Sequence, residues 1–213
     1  MTEFSTAHAL LAGAESRALE IAGLEISIVN GGTYRPLVTD VTMTVGDGEI
    51  VGLVGESGSG KSLTALACMG LLPDGVRVTN GEISLDGSSV VSATESDLRS
   101  MRGPRIGMIF QDPMTSLDPC FRIGRQMVEA ITEHENVSKQ AARKRAVDFL
   151  GHVGVPDPAH RFDAFPHELS GGLRQRVMIA TALLLEPKVL IADEPTTALD
   201  VTTQASILRL VHR

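Results

Sequence analysis

Aromatic residues are nearly absent from the 213-residue chain, which has no Trp, one Tyr and six Phe. A core built without them relies on Val, Ile, Leu, Ala and Met, and the 21 glycines point to many tight backbone turns. Cysteine is as scarce. Cys68 and Cys120 stand far apart with no His or Cys at ligand spacing, which excludes a zinc site and a disulfide framework and leaves reduced, mostly buried thiols as the expectation. No apolar run is long. The longest, near residues 177–185, is closed by Arg176 and Glu186, far short of the ~20 residues that span a bilayer. Residues 1–17 lack a basic start ahead of an apolar block, so no secretory signal is expected. Excess positive charge is missing too. The formal net charge of −7 argues against a broad nucleic-acid surface, yet leaves phosphate binding open, since that needs only a few backbone amides and one cation.

What is present suits an α/β protein: one globular unit, or a core with a smaller subdomain, at 43% hydrophobic content. Residues 1–18 read as a loose leader, with a short helix possible at 7–11. Residues 19–28 and 37–45 alternate apolar with polar, as half-buried strands do, around the turn-prone Asn30-Gly31-Gly32. They predict an antiparallel β layer. An apolar strand at 49–54 then runs into Gly55 and a helix at 62–72, which Pro73 and Gly75 end. A strand pair follows at 81–91, with Ile83 and Leu85 on one face and Asp86-Gly87 as its turn. Residues 106–110 read as a short buried strand. Helices are expected at 123–134 and 138–153, the second capped by Ser138, within a helical subdomain. The spacing then predicts a helix at 171–185 and a strand at 189–192, apolar enough to be buried on both faces in a parallel sheet.

Chemistry enters at Gly55-Glu56-Ser57-Gly58-Ser59-Gly60-Lys61-Ser62, which fits the phosphate-loop pattern between a predicted strand and a predicted helix. Glycines there let consecutive N–H groups turn inward around the α- and β-phosphates without Cβ clashes, and the helix N-terminus that continues through Leu63 adds a favourable dipole. Lys61 reaches the β- and γ-phosphates, and the Ser62 hydroxyl is placed to ligate Mg²⁺. Further along, strand 189–192 delivers Asp193 and Glu194 to the carboxyl end of a buried strand, where ligands of open α/β sheets collect. Asp193 is assigned to Mg²⁺ through water, and Glu194 to polarising the water that attacks the γ-phosphate.

Leu169-Ser170-Gly171-Gly172-Leu173-Arg174-Gln175, just upstream of Asp193, resembles the signature of ABC transporter ATP-binding subunits. That resemblance implies a phosphate-loop NTPase (RecA-like) core with an N-terminal antiparallel β subdomain and an inserted helical subdomain at about 112–170, all within 19–213. It also implies that Ser170, Gly171, Gly172 and Gln175 clasp the γ-phosphate of ATP held by a partner subunit. Gln111 resembles the Q-loop glutamine, a Mg²⁺ and water contact, and Asp200 in Ala198-Leu199-Asp200 resembles the D-loop that helps shape the partner's site. The setting from Phe110 to Pro119, and Phe165-Pro-His-Glu-Leu-Ser170, are similar to the dipeptide, oligopeptide and nickel importer branch. Two departures stand out. Ile28 occupies the place where the family stacks an aromatic side chain on adenine, with Tyr34 the only nearby aromatic, expected in a loop. His212 follows Glu194 by only 18 residues, inside a helix predicted at 203–213, so the family's switch histidine is expected to be missing and the domain to stop short of it.

The resemblance implies an ATP- and Mg²⁺-dependent ATPase on the cytoplasmic side of the cell membrane. Its partners would be a second ABC ATPase subunit (the same or a paralogue), integral membrane permease subunits and an extracytoplasmic solute-binding protein, with no nucleic acid. Two rivals remain at this point: a soluble ABC ATPase acting on nucleic acid or the ribosome, and a non-hydrolysing or truncated nucleotide-binding partner. His134, His152, His160 and His167 show no ligand spacing, and the face with Arg143, Lys144 and Arg145 reads as a solvated surface.

Overall fold

The computed structural model describes residues 17–111 and 116–193, and the chain divides into two units, Met1–Arg102 and Gly103–Arg213. In the first, the alternating apolar residues form two long strands, β1 (Arg17–Asn30) and β2 (Thr33–Gly46), joined at Gly31-Gly32. β3 (Val76–Leu85) pairs with the other edge of β1, and the short β4 (Ser88–Ser89) closes an antiparallel sheet of order β2-β1-β3-β4. The predicted turn is there: Asp86 and Gly87 both take positive φ, 50° and 74°, the conformation a tight hairpin needs. Ile21, Leu24, Ile26, Ile83 and Leu85 are at most 1% exposed and form the sheet's inner face.

Residues 49–54 differ from their prediction. They form no ladder with any described strand, because apolar character alone does not make a strand; a neighbour must accept its backbone hydrogen bonds. Helix α1 (Lys61–Cys68) starts where expected but stops earlier. Gly70 takes φ 62°, its N–H donates to Ala67 O at 3.0 Å, and Leu71 N–H donates to Leu66 O at 2.9 Å, a Schellman ending that closes the helix before Pro73 is reached. A helix absent from the sequence reading, α2 (Glu95–Met101), follows. Thr94 Oγ1 accepts from Asp97 N while the Asp97 carboxylate accepts from Thr94 N, a capping box in a segment with few apolar residues to betray it. Arg102, at its end, donates to the Met69 and Gly70 carbonyls at 2.9 and 3.0 Å and pairs with Glu95. It thereby satisfies the carbonyls that the end of α1 exposes.

In the second unit, β5 (Ile106–Ile109) and β6 (Val189–Ala192) pair in parallel, Ile106 opposite Val189 and Ile109 opposite Ala192. β5 is buried throughout, as predicted. β6 is less covered than predicted: Val189 is buried, Leu190 and Ile191 are half-buried and Ala192 is exposed, since among the described residues it has one neighbouring strand. Helices α3 (Ile123–His134) and α4 (Lys139–His152) fall where the periodicity puts them, and the Ser138 hydroxyl caps α4 by accepting from Ala141 N at 3.2 Å. A short α5 (Pro158–Phe162) and a single 3₁₀ turn (Pro166–Glu168) lead into α6 (Gly171–Leu183). Ile123, Met127, Ile131, Ala142, Ala146, Leu150, Val177 and Ala180, each at most 1% exposed, join the three longer helices into one core. The other side of α6 packs Met178 and Ile179 on Ile109.

The basic face of α4 is exposed as expected at Arg143 and Lys144, with Arg145 half-buried, and its cations are also paired. Arg143 pairs with Asp163, Lys144 with Asp148, and Arg145 with Glu135 at 2.7 Å while also donating to Leu184 O, so two of the three cations tie α4 to other segments. Long-range partners of this kind leave no trace in local periodicity. His152 meets Phe149 edge-on and His167 stacks on Phe165, and among the described residues no group of His, Cys, Asp and Glu is placed to hold a metal ion.

Candidate functional site

The phosphate-loop residues lie in the first unit. Gly58 and Gly60 have φ of 80° and 100°, the region that L side chains rarely adopt. Gly60 is also pressed against β2: a Cβ there would sit 2.5 Å from Val38 Cγ2, and Val38 is 2% exposed. At the loop's start, a Cβ on Gly55 would meet Ser59 Oγ at 2.7 Å. Thr64, 2% exposed, fixes the loop to the helix by donating its N–H and hydroxyl to Gly60 O at 2.9 and 3.1 Å. Val38 and Thr64 were not among the residues the sequence singled out. A threonine four residues after a left-handed glycine is the one signal that would have marked the second.

Lys61 Nζ donates to Gly55 O and Glu56 O, both at 2.8 Å, so the ammonium lies across the mouth of its own loop. Ser59 Oγ is buried with no hydrogen-bond partner, and Ser62 and Ser57 are exposed. The residues present therefore fit a phosphate: glycines where a side chain would fill the cradle, an orphaned buried hydroxyl, and a cation held by two carbonyls it can leave.

Cys68 is on the last turn of the same helix, and burial pushes its thiol up to about 12. Cys120 is exposed, which departs from the expectation of two buried thiols. Because only the thiolate reacts, and a raised pKa keeps the thiol protonated below it, the two cysteines should differ in reactivity. Iodoacetamide at about pH 8 is expected to modify Cys120 in the native chain and Cys68 only after denaturant is added. Peptide mapping by mass spectrometry reads this directly, and equal native labelling of both would contradict the buried position of Cys68.

The second unit places Gln111 and Asp193 at one edge. Asp193 N donates to Ile109 O at 3.0 Å, continuing the β5–β6 ladder by one residue, and Gln111 follows two residues after Ile109. Both residues therefore leave the carboxyl ends of neighbouring parallel strands, the edge at which such sheets bind ligands. Glu194 and Asp200 lie outside the described residues, as do the predicted helices at 7–11 and 203–213 and the segment 112–115. Ser170 sits at the N-cap of α6, exposed, and its side chain makes no cap hydrogen bond, so it does not serve as an ordinary helix cap. Gly171 has nothing within 4 Å of its Cβ direction, and the first-turn N–H groups of α6 have no intrahelical acceptor. Leu169 below Ser170 is 2% exposed and Gln175 is 1% exposed, so Gln175 is a buried residue of the helix rather than an exposed one at its tip.

Ile28 is 40% exposed and pairs with Arg35 and Val76, whereas Tyr34 pairs with Val29. Strand alternation puts Ile28 and Tyr34 on opposite faces, and Tyr34 belongs to β2 rather than to a loop. Tyr34 is therefore no substitute for an aromatic side chain at position 28.

The model of the ABC transporter family matches residues 38–197. The oligopeptide transport ATP-binding protein OppD of Bacillus subtilis is 50% identical over 197 residues, covering 92% of this chain and 55% of that protein. The dipeptide transport ATP-binding protein DppD of Escherichia coli is 52% identical over 174 residues, covering 82% and 53%. The chain thus spans about half the length of the curated relatives it matches. Among solved structures, the ATP-binding cassette MJ0796, a dimer in a post-hydrolysis state bound to ADP and Pi, superposes with a TM-score of 0.78 at 28% identity, covering 91% of this chain and 81% of that one. The α/β fold is that of an ABC cassette.

Proposed function

We propose, from the premise that this chain belongs to the ABC transporter family, that it binds and hydrolyses ATP to energise import of peptides or a related small solute across the cell membrane. The observation that carries the proposal is the Gly55–Ser62 loop, with its two left-handed glycines, its unpartnered Ser59 hydroxyl and Lys61 Nζ resting on two loop carbonyls. Phosphate oxygens offer that ammonium a stronger, charge-assisted partner than neutral carbonyls do, so nucleotide would draw it off the loop. The backbone N–H groups from Glu56 to Leu63 would surround the phosphates.

Ser62 is proposed as a Mg²⁺ ligand through its hydroxyl, Asp193 through water and Gln111 through its side-chain carbonyl, all oxygen donors of the hard kind this ion takes. The ion supplies charge neutralisation at the phosphates when bound. Glu194 is assigned to accepting the proton of the attacking water, and Gln111 to orienting that water. Ser170, Gly171 and Gly172 at the start of α6 would clasp the γ-phosphate bound to a second ABC ATPase subunit, with Gln175 holding that turn from inside and Asp200 shaping the partner's site. Permease subunits and an extracytoplasmic solute-binding protein complete the assembly, with this subunit peripheral on the cytoplasmic side. Among the described residues no helix is long and apolar enough to cross a membrane, so attachment is assigned to those partners.

The peptide assignment is supported by the names of relatives at 50% and 52% identity. Its test is uptake of a labelled dipeptide and a labelled pentapeptide into vesicles holding the subunit with its permease and binding-protein partners. Uptake that requires ATP and stops with Lys61→Ala is expected. ATP hydrolysis with neither peptide accumulating would remove the substrate assignment and leave the ATPase.

A further inference from the structure

Serine at a helix N-cap ordinarily accepts a hydrogen bond from the second or third N–H of the helix, and that bond fixes the helix start. Ser170 does not: its side chain makes no cap bond, and the residue is exposed with φ −64° and ψ 160°. The two glycines that follow it are poor helix formers, so the turn needs another hold. The backbone on either side of Ser170 shows what supplies it. Arg174 Nε donates to Leu169 O at 2.9 Å, and the Arg174 backbone N–H donates to Ser170 O at 2.9 Å. Both peptide groups that flank the Ser170 Cα therefore end on Arg174, which restrains the two dihedrals of Ser170 without using its hydroxyl.

The anchor beneath is firm. Leu169 is 2% exposed within the helical core, and its N–H donates to Pro166 O at 3.2 Å, so the carbonyl that Arg174 holds belongs to a residue already fixed by its own side chain and backbone. Charge does not account for the guanidinium, because the N-terminal end of a helix carries partial positive charge and disfavours a cation. A specific hydrogen bond does. The Cα–Cβ bonds of a helix tilt toward its N-terminus, so a long side chain at the fourth helical position reaches back to the carbonyl that precedes the cap.

We propose that Arg174 is the positioning residue of the turn at Ser170: it replaces the missing cap bond and so leaves the Ser170 hydroxyl to the γ-phosphate bound to a second subunit. The inference rests on the proposed role of Ser170 as that clasp. Arg174 itself touches no phosphate in this account. It acts through the backbone of Ser170, by the Nε–H donor and not by the charge.

The test compares two substitutions in the subunit assembled with its partner ATPase and permease subunits. Arg174→Gln keeps an N–H donor at the same number of bonds from the backbone as the arginine Nε and discards the charge, whereas Arg174→Met keeps the stem and discards the donor. In steady-state ATP hydrolysis, Arg174→Met is expected to lower kcat about 10- to 100-fold with KM for ATP within about twofold, and Arg174→Gln to stay within about threefold of wild type. In a Ser170→Ala background, itself expected to be slowed about tenfold or more, adding Arg174→Met should cost less than about twofold, because the hydroxyl it positions is gone. Arg174→Gln as slow as Arg174→Met would overturn the proposal by assigning the effect to charge. An equal cost of Arg174→Met in both backgrounds would overturn it too, as the mark of a merely structural role, and so would an unchanged kcat in Arg174→Met. Ser170→Ala as fast as wild type has a different meaning: it removes the reading of Ser170 itself, and the proposal with it.

Discussion

Replacing Glu194 by Gln is expected to slow ATP hydrolysis by the assembled subunit by about 10²–10⁴-fold while leaving ATP affinity nearly unchanged. The amide keeps the size and hydrogen-bonding reach of the carboxylate but cannot accept a proton from water. The neighbouring Asp193 is untouched, and its N–H still donates to Ile109 O, so the edge of the parallel sheet keeps its shape. A protein that binds ATP and cannot turn it over should accumulate in the nucleotide-bound state, visible as ATP retained through gel filtration. Single-turnover phosphate release, measured for wild type and Glu194→Gln with the same partner subunits, reads the effect. Equal rates would strip Glu194 of the role of base.

Lys61→Ala acts one step earlier. The substitution removes the only cation of the Gly55–Ser62 loop, and a charge-assisted hydrogen bond of this kind is worth about 2–3 kcal/mol, or roughly 30- to 150-fold in affinity. Loss of the two bonds from Nζ to Gly55 O and Glu56 O also loosens the loop, so circular dichroism is needed to show that α1 survives. Calorimetry with Mg-ATP on the two proteins decides the matter: an unchanged affinity with a folded mutant would mean that the phosphates bind somewhere else.

The phosphate loop was readable because its requirement is local. Gly58 and Gly60 take φ of 80° and 100°, which L side chains rarely adopt, and a Cβ on Gly55 would crowd Ser59 Oγ, so the spacing itself records the backbone. Helices α3, α4 and α6 were legible for a related reason: their apolar stripes repeat over three turns or more. Short elements escaped. α2 has seven residues and advertises itself only through Thr94 and Asp97, and α5 has five. Residues 49–54 show the opposite error, since an apolar run states a preference for burial and says nothing about which neighbour supplies hydrogen bonds. Contacts between distant positions were invisible. Arg102 closing the end of α1 and Arg145 on the Leu184 carbonyl both depend on segments that only the fold brings together. Of the candidate site, residue types were legible and partners were not: Val38 behind Gly60 and the parking of Lys61 on Gly55 and Glu56 come from three-dimensional neighbours.

The central claim is that residues 55–63 cradle the phosphates of ATP. The most direct measurement is the backbone amide spectrum of the ¹⁵N-labelled chain during titration with Mg-ATP, with Mg²⁺ alone as the control. The amides of Gly58, Gly60, Lys61 and Ser62 are predicted to shift together and saturably, and more than those of the β1–β2 turn at Gly31 and Gly32. Shifts confined to other segments, or no saturable change in the loop amides at millimolar nucleotide, would contradict it.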